Sequence, residues 1–410
     1  MVLITITLIP AIAAFFLFPY PPTQPPKAND AGSTPEGVRE IVWANNQFAF
    51  KLYSELVKTE TGNVFFSPYS IFSALAMTYE GARGLTADEM KAFFNFLESN
   101  VLRPNFAAVY NRINEVSQNY ELRTGNALWV QKDYPFLEDY LKTVEEYYGG
   151  KAAVLDFINK AEESRQTINT FIEEQTNHKI KDLITPGVLN ELTRLVLTNA
   201  IYFKGDWKMA FNESLTMGED FWVASDRSIK VQMMHMKPNE TIRFNYADTG
   251  DVQIIELPYK GEKISMLIIL PKNLEILESS LTLEKLNEYR ARMREEKLDE
   301  ICLPKFELET KYFMQETLSA LGMPTAFSGA ADFSGMTGRR DLFISEVIHQ
   351  AYIKVDEKGT EAAAATAVIM ELTAVPETKV FRADHPFIFI IQEKETGIIL
   401  FMGRVVNPTE

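Results

Sequence analysis

Four histidines, His178, His235, His349 and His385, and one cysteine, Cys302, are the chain's whole stock of imidazole and thiol. No two histidines stand at metal-ligand spacing, and no His-Glu-x-x-His pattern occurs. A single cysteine can form neither an internal disulfide nor a cysteine-rich metal site. Its apolar neighbours Ile301 and Leu303 make it a small buried hydrophobe rather than a reactive thiol. His349 lies amid Val347, Ile348 and Tyr352, which reads as a hydrogen-bonded core histidine rather than a general base. There is no Walker loop, no Gly-x-Gly-x-x-Gly loop and no Gly-x-Ser-x-Gly elbow. Ser334-Gly-Met-Thr-Gly338 lacks the Lys-Ser/Thr that a phosphate loop needs and reads as a surface turn. The chain therefore offers no catalytic constellation, metal set or cofactor motif, and an enzyme is the weakest reading.

The segment from Glu357 to Thr378 carries a different chemistry, that of a substrate. Ala362 to Ala365 taken alone would favour a surface helix capped by Thr360. Gly359 argues for a hinge instead, because glycine gives the backbone freedom. As a strand, the segment would put Thr360, Ala362, Ala364, Thr366, Val368 and Met370 on one face. The first four are small and uncharged, so this face could slide between existing strands. Glu361, Ala363, Ala365, Ala367, Ile369 and Glu371 fall on the other face. Glu371 to Thr378 then reads as an exposed, cleavable stretch.

A large body must position this segment. Of 410 residues, 46% are hydrophobic, enough for a large core. The net charge of −15 and the lack of a dense Lys/Arg run argue against nucleic acid as a partner. Helical spacing predicts helices over Val38–Lys58, Ser70–Met77, Tyr134–Tyr148 and Ser164–Thr176, and one ending near Val116. Thr86 with Glu89 predicts a capping box. Apolar runs predict strands at Asn63–Pro68, Ala152–Phe157, Leu195–Phe203, Ile254–Leu257, Ile264–Leu270, Glu300–Leu308, Leu342–Val355, Val380–Ile391 and Ile398–Val406. Lys260-Gly261 predicts a hairpin turn. Helices gather early and strands late, which predicts an α+β fold. Residues 1–18 form an apolar signal or anchor segment with no charge before Lys27, and residues 19–35 a Pro-rich polar linker. Residues 36–410 form a single domain. Export is expected, with cleavage and membrane anchoring both open.

Specific stretches point to a family. Glu357-Lys-Gly-Thr-Glu-Ala-Ala363 resembles the hinge of the serpins, the serine protease inhibitors. Phe381-Arg-Ala-Asp-His-Pro-Phe-Ile-Phe-Ile-Ile391 is similar to the family signature after the loop, and Phe401-Met-Gly-Arg-Val-Val-Asn-Pro408 to its last strand. Asn63 to Ser70, Asn169 with Thr176 and Lys179-Ile180, Thr198 to Trp207, Leu303-Pro-Lys-Phe306 and Ala331 to Gly335 follow the same pattern in the same order. The resemblance implies one domain of three β-sheets and about nine helices, with an exposed reactive-centre loop. It implies irreversible, suicide-substrate inhibition: a protease cleaves the loop, is held as an acyl-enzyme, and is dragged away as the hinge enters the main sheet. At ~3.3 Å per residue, the 17 residues from Glu357 to Thr373 could span about 56 Å.

The resemblance also assigns roles. Glu357, Gly359, Thr360, Glu361, Ala362, Ala363, Ala364, Ala365 and Thr366 would be the hinge. Ser67, Ser70, Asn199 and His349 would form a polar shutter under the opening sheet, Trp207 would mark where insertion begins, and Lys305 would pair with Glu357. The family's spacing from Glu357 puts the reactive bond between Thr373 and Ala374, with Glu371, Leu372 and Val375 as alternatives. No Lys or Arg lies between Gly359 and Thr378, which favours chymotrypsin-, elastase- or subtilisin-like targets over trypsin-like ones. The expected partner is a serine protease in a covalent complex with a monomer. The alternative is a non-inhibitory serpin acting as carrier, chaperone or storage protein. Such members tend to have bulky, charged or proline residues in the hinge, and Ala362–Thr366 has none.

Overall fold

The computed structural model describes residues 27–115, 117–124, 126–360 and 378–410. Its first helix, α1 (Pro35–Thr59), starts where local chemistry favours it. The Thr34 hydroxyl accepts the Gly37 N–H, Pro35 sits in the first turn, and Ile41, Phe48, Leu52 and Leu56 line the buried face. The helices that follow are α2 (Pro68–Tyr79), α3 (Gly84–Phe94), α4 (Ser99–Ile113), α5 (Glu138–Tyr148), α6 (Ala161–Gln175), α7 (Leu274–Glu278), α8 (Leu283–Arg292), α9 (Gln315–Leu321) and α10 (Ser334–Thr337).

Three sheets complete the described residues. One runs β1 (Val64–Phe66), β18 (Ile399–Val405), β17 (Phe387–Glu393), β10 (Ile264–Pro271), β9 (Val252–Pro258), β8 (Phe244–Asp248), β11 (Arg294–Glu296). β10, β17 and β18 are buried throughout, and β18 packs on α1 and α2. A four-stranded sheet runs β16 (Val380–Arg382), β12 (Glu300–Pro304), β7 (Arg227–Met236), β6 (Met217–Ala224). The third runs β13 (Phe306–Phe313), β14 (Val347–Val355), β15 (Gly359–Thr360), β5 (Leu195–Asp206), β3 (Ala127–Gln131), β4 (Lys151–Leu155), with β2 (Tyr120–Thr124) also on β5. A second apolar core, with Trp129, Ile168, Ile172, Ile180 and Ile348, joins α6 to this sheet.

The α+β class and three-sheet architecture are those expected, and several local expectations need correction. Thr86 is not a cap. The helix starts at Gly84, and the buried Thr86 hydroxyl accepts the Asp332 N–H, while Glu89 binds the Thr325 N–H and hydroxyl. Glu300–Leu308 is two strands in two sheets, because the chain leaves one sheet at Pro304 and enters another at Phe306. Val380–Ile391 likewise splits at Ala383-Asp-His-Pro386. The strand from Leu342 begins only at Val347. Ser334–Thr337 is a helical turn with Met336 and Thr337 buried, ended by Gly338 at φ +75°. Residues 27–34, expected within the linker, lie against the body. Ala28 is buried, its N–H donates to Asn111 Oδ1 (2.8 Å), and the Asn29 N–H donates to the Glu146 carbonyl (2.7 Å).

Candidate functional site

The third sheet has a seam between β14 and β5. The two strands pair in parallel from Val347↔Leu197 to Ala351↔Ile201. Further along, the slot between them is taken by β15, with Thr360 opposite both Val355 and Gly205, and Gly359 opposite Asp206. Two residues of the sequence-derived hinge, Gly359 and Thr360, thus already sit as a short strand between β14 and β5.

Gly359 is there for fit as well as freedom. Its φ is +156°, and a Cβ would stand 2.0 Å from the Gly205 carbonyl oxygen. Thr360 is 1% exposed, and its hydroxyl is 2.8 Å from that of Tyr259. Tyr259 stacks on Trp207 at 4.5 Å between centroids. The Trp207 N–H donates to the Lys358 carbonyl (2.7 Å), its indole Nε1–H to the Asp356 carbonyl (3.1 Å), and the Phe211 N–H to the Glu357 carbonyl (2.7 Å). Lys305 Nζ reaches Glu357 at 2.9 and 3.2 Å, and the Thr216 hydroxyl donates to the same carboxylate (2.8 Å). Burial pushes the Glu357 carboxyl up. The Lys305 hydrogen bond, its own backbone N–H and Thr216 outweigh that and hold it below its ordinary value.

At the paired part of the seam, His349 and Asn199 face each other across the parallel ladder. The Ser67 N–H donates to His349 Nε2 (3.0 Å), which fixes the tautomer, so Nδ1–H donates to Asn199 Oδ1 (2.6 Å). Ser67 caps α2 through the Ser70 N–H (3.2 Å) and donates its own hydroxyl to the Leu400 carbonyl (2.6 Å). Asn126 Oδ1 accepts from both the Ser70 hydroxyl (2.9 Å) and Asn199 Nδ2 (3.1 Å). His349 is fully buried, and desolvation pushes it down from 6.5 to about 3, so it is neutral. Each neutral hydrogen bond here contributes about 0.5–1.5 kcal/mol net.

Sequence reasoning missed Asn126, Thr216 and Tyr259. Asn126 had one signal, a polar residue directly before the apolar run Ala127–Val130. Thr216 and Tyr259 had none. The hinge positions Glu361, Ala362, Ala363, Ala364, Ala365 and Thr366, the reactive-bond residues Thr373 and Ala374, and the alternatives Glu371, Leu372 and Val375 lie outside the described residues. The chain is described again from Thr378. There Lys379 exchanges hydrogen bonds with Asp299, and β16 pairs in parallel with β12. Cys302 is fully buried, and burial pushes its thiol up to about 12, so with no metal cation beside it the group stays a thiol.

Comparison with known proteins agrees with this geometry. The family model described as serpin, serine protease inhibitor, matches residues 43–408. A serpin-like protein of Thermococcus kodakarensis is 45% identical over 91% of this chain and 87% of its own length. The bovine leukocyte elastase inhibitor is 41% identical over 90% of this chain and 100% of its own. Human thyroxine-binding globulin, solved as a complex, superposes with a TM-score of 0.81 at 31% identity, covering 91% of this chain and 100% of that one. The chain belongs to the serpin family.

Proposed function

We propose that the protein is an irreversible, suicide-substrate inhibitor of a chymotrypsin-, elastase- or subtilisin-like serine protease, acting as a monomer outside the cytoplasm and not as a catalyst. The observation that carries this reading is the placement of Gly359 and Thr360 between β14 and β5. Separating β14 from β5 breaks one short ladder, whereas a strand inserted between them makes two. Small residues on the Thr360 face (Ala362, Ala364, Thr366) keep the steric cost of that insertion low. Insertion of a cleaved loop is therefore downhill, and a protease held as its acyl-enzyme on the Thr373 side is carried along before water can release it. The leukocyte elastase inhibitor among the relatives supports inhibition of an enzyme of that specificity. The apolar run Val2–Phe18 supports export. Thyroxine-binding globulin among the structural neighbours keeps a carrier as the second reading.

Incubation with chymotrypsin, elastase and subtilisin followed by denaturing gels separates the two. The inhibitor reading expects a complex stable to SDS, and mass spectrometry of the released C-terminal peptide places the bond at Thr373–Ala374. Cleavage by every enzyme with no such complex would overturn inhibition and leave the carrier.

A further inference from the structure

One face of the four-stranded sheet gathers donors that sequence spacing hides. His235 of β7 stands directly opposite Cys302 of β12, and Glu300 lies two residues before Cys302 and so on the same face. His235 Nδ1 is 2.9 Å from Glu300 Oε1 and 3.5 Å from Cys302 Sγ. One nitrogen, one sulfur and one carboxylate oxygen thus lie within 4.8 Å of one another. The other ring nitrogen, Nε2, is 2.9 Å from Glu219 Oε1, and Arg382 Nη1 holds the second Glu219 oxygen at 2.5 Å. Cys302 is fully buried and His235 nearly so, while the Glu300 side chain stays 21% exposed and gives an ion a way in from solvent.

We propose that His235 Nδ1, Cys302 Sγ and the Glu300 carboxylate form a binding site for one zinc-like divalent cation. A mixed nitrogen, sulfur and oxygen set suits Zn²⁺, whereas Mg²⁺ and Ca²⁺ require oxygen donors. Tetrahedral bonds of ~2.0–2.3 Å put donors ~3.3–3.8 Å apart. The histidine–cysteine pair already meets that spacing, and Glu300 would draw back by about 0.4 Å from the imidazole while its carboxylate settles against Cys302 Sγ, from which it lies within 4.8 Å. Three protein ligands leave the fourth position to water. Glu219 on Nε2 is the carboxylate that orients a metal-bound imidazole and fixes its tautomer. Binding forms three metal–ligand bonds in place of three bound waters, and sends both the thiol proton and the proton that Nδ1 shares with Glu300 to solvent, with no change of oxidation state. Lys237, 3.9 Å from Glu300 Oε1, is exposed and can swing aside. The ion would staple β7 to β12 and, through Glu219 and Arg382, steady β16, the strand that receives the far end of the loop.

Cobalt titration of the full chain is the test, since Co²⁺ bound to a thiolate shows a near-ultraviolet charge-transfer band. One equivalent of Co²⁺ should give that band, and Zn²⁺ should bleach it. Cys302→Ala should abolish it, and Glu219→Gln should weaken binding about 10–100-fold. Zn²⁺ should raise the melting temperature of the wild type and not of Cys302→Ala. Should Cys302→Ala not fold, His235→Gln reads the same loss. No uptake by the wild type, uptake without the thiolate band, or an unchanged band in a folded Cys302→Ala or His235→Gln protein would each overturn the site.

Discussion

The two described segments that flank residues 361–377 are held in opposite ways. The near end enters the sheet at Gly359–Thr360, which is buried between two strands and fitted to a backbone that leaves no room for a Cβ at Gly359. The far end, Lys379–Arg382, has one buried anchor, Phe381, and otherwise rests on a three-residue parallel ladder and on exposed or half-exposed ion pairs such as Lys379–Glu296 and Arg382–Glu219. Exposed pairs are weak, and a fitted backbone admits little change. The contrast assigns the ends different jobs. On the proposed mechanism, the near end would seed an inserted strand and the far end would serve as a mooring.

Substitutions should expose this asymmetry, the largest effect first. Thr360→Arg puts a charge into a site that is 1% exposed against Tyr259. An unpaired charge there is far costlier than the hydroxyl it replaces, so the seed is expelled. Protease assays should show cleavage without an SDS-stable complex. Gly359→Ala meets the Gly205 carbonyl and should cost about 1–3 kcal/mol, read as a lower yield of complex and a lower melting temperature.

His349 tests the seam itself. The unfolded chain takes up a proton below about 6.5, but the folded chain refuses it until about 3. Stability should therefore fall as pH drops through that window, by about 1.4 kcal/mol per unit from this residue. In His349→Gln that part of the slope should vanish from denaturant titrations between pH 6 and 4. Glu357→Gln removes half of a partly exposed pair and should cost no more than about 1 kcal/mol. At the mooring, Lys379→Ala should leave both melting temperature and complex yield unchanged.

Much of this was legible in the chain. The α+β class stands in the linear sequence because strand and helix periods are local, whereas the hinge and shutter roles rest on the resemblance of Glu357–Ala363 and the other quoted stretches to the serpins. What Gly359 does was only half legible. Glycine signals freedom, but its tight approach to Gly205 depends on a strand more than 150 residues earlier. Thr86 looked like a cap because a capping box is local, yet its real partner, Asp332, is distant in sequence. The break at Pro304-Lys305 was hidden because both halves read as extended strands, and only tertiary pairing sends them to different sheets. His235 and Cys302 meet solely through the β7–β12 register, which no spacing rule could show.

The claim that the near end seeds an inserted strand is tested most directly by heat. Limited proteolysis between Glu371 and Val375, followed by thermal denaturation of intact and nicked protein, compares the chain before and after insertion. A melting temperature well above that of the intact protein, absent in Thr360→Arg, is the predicted result. A nicked wild-type protein that melts at or below the intact one would contradict the account.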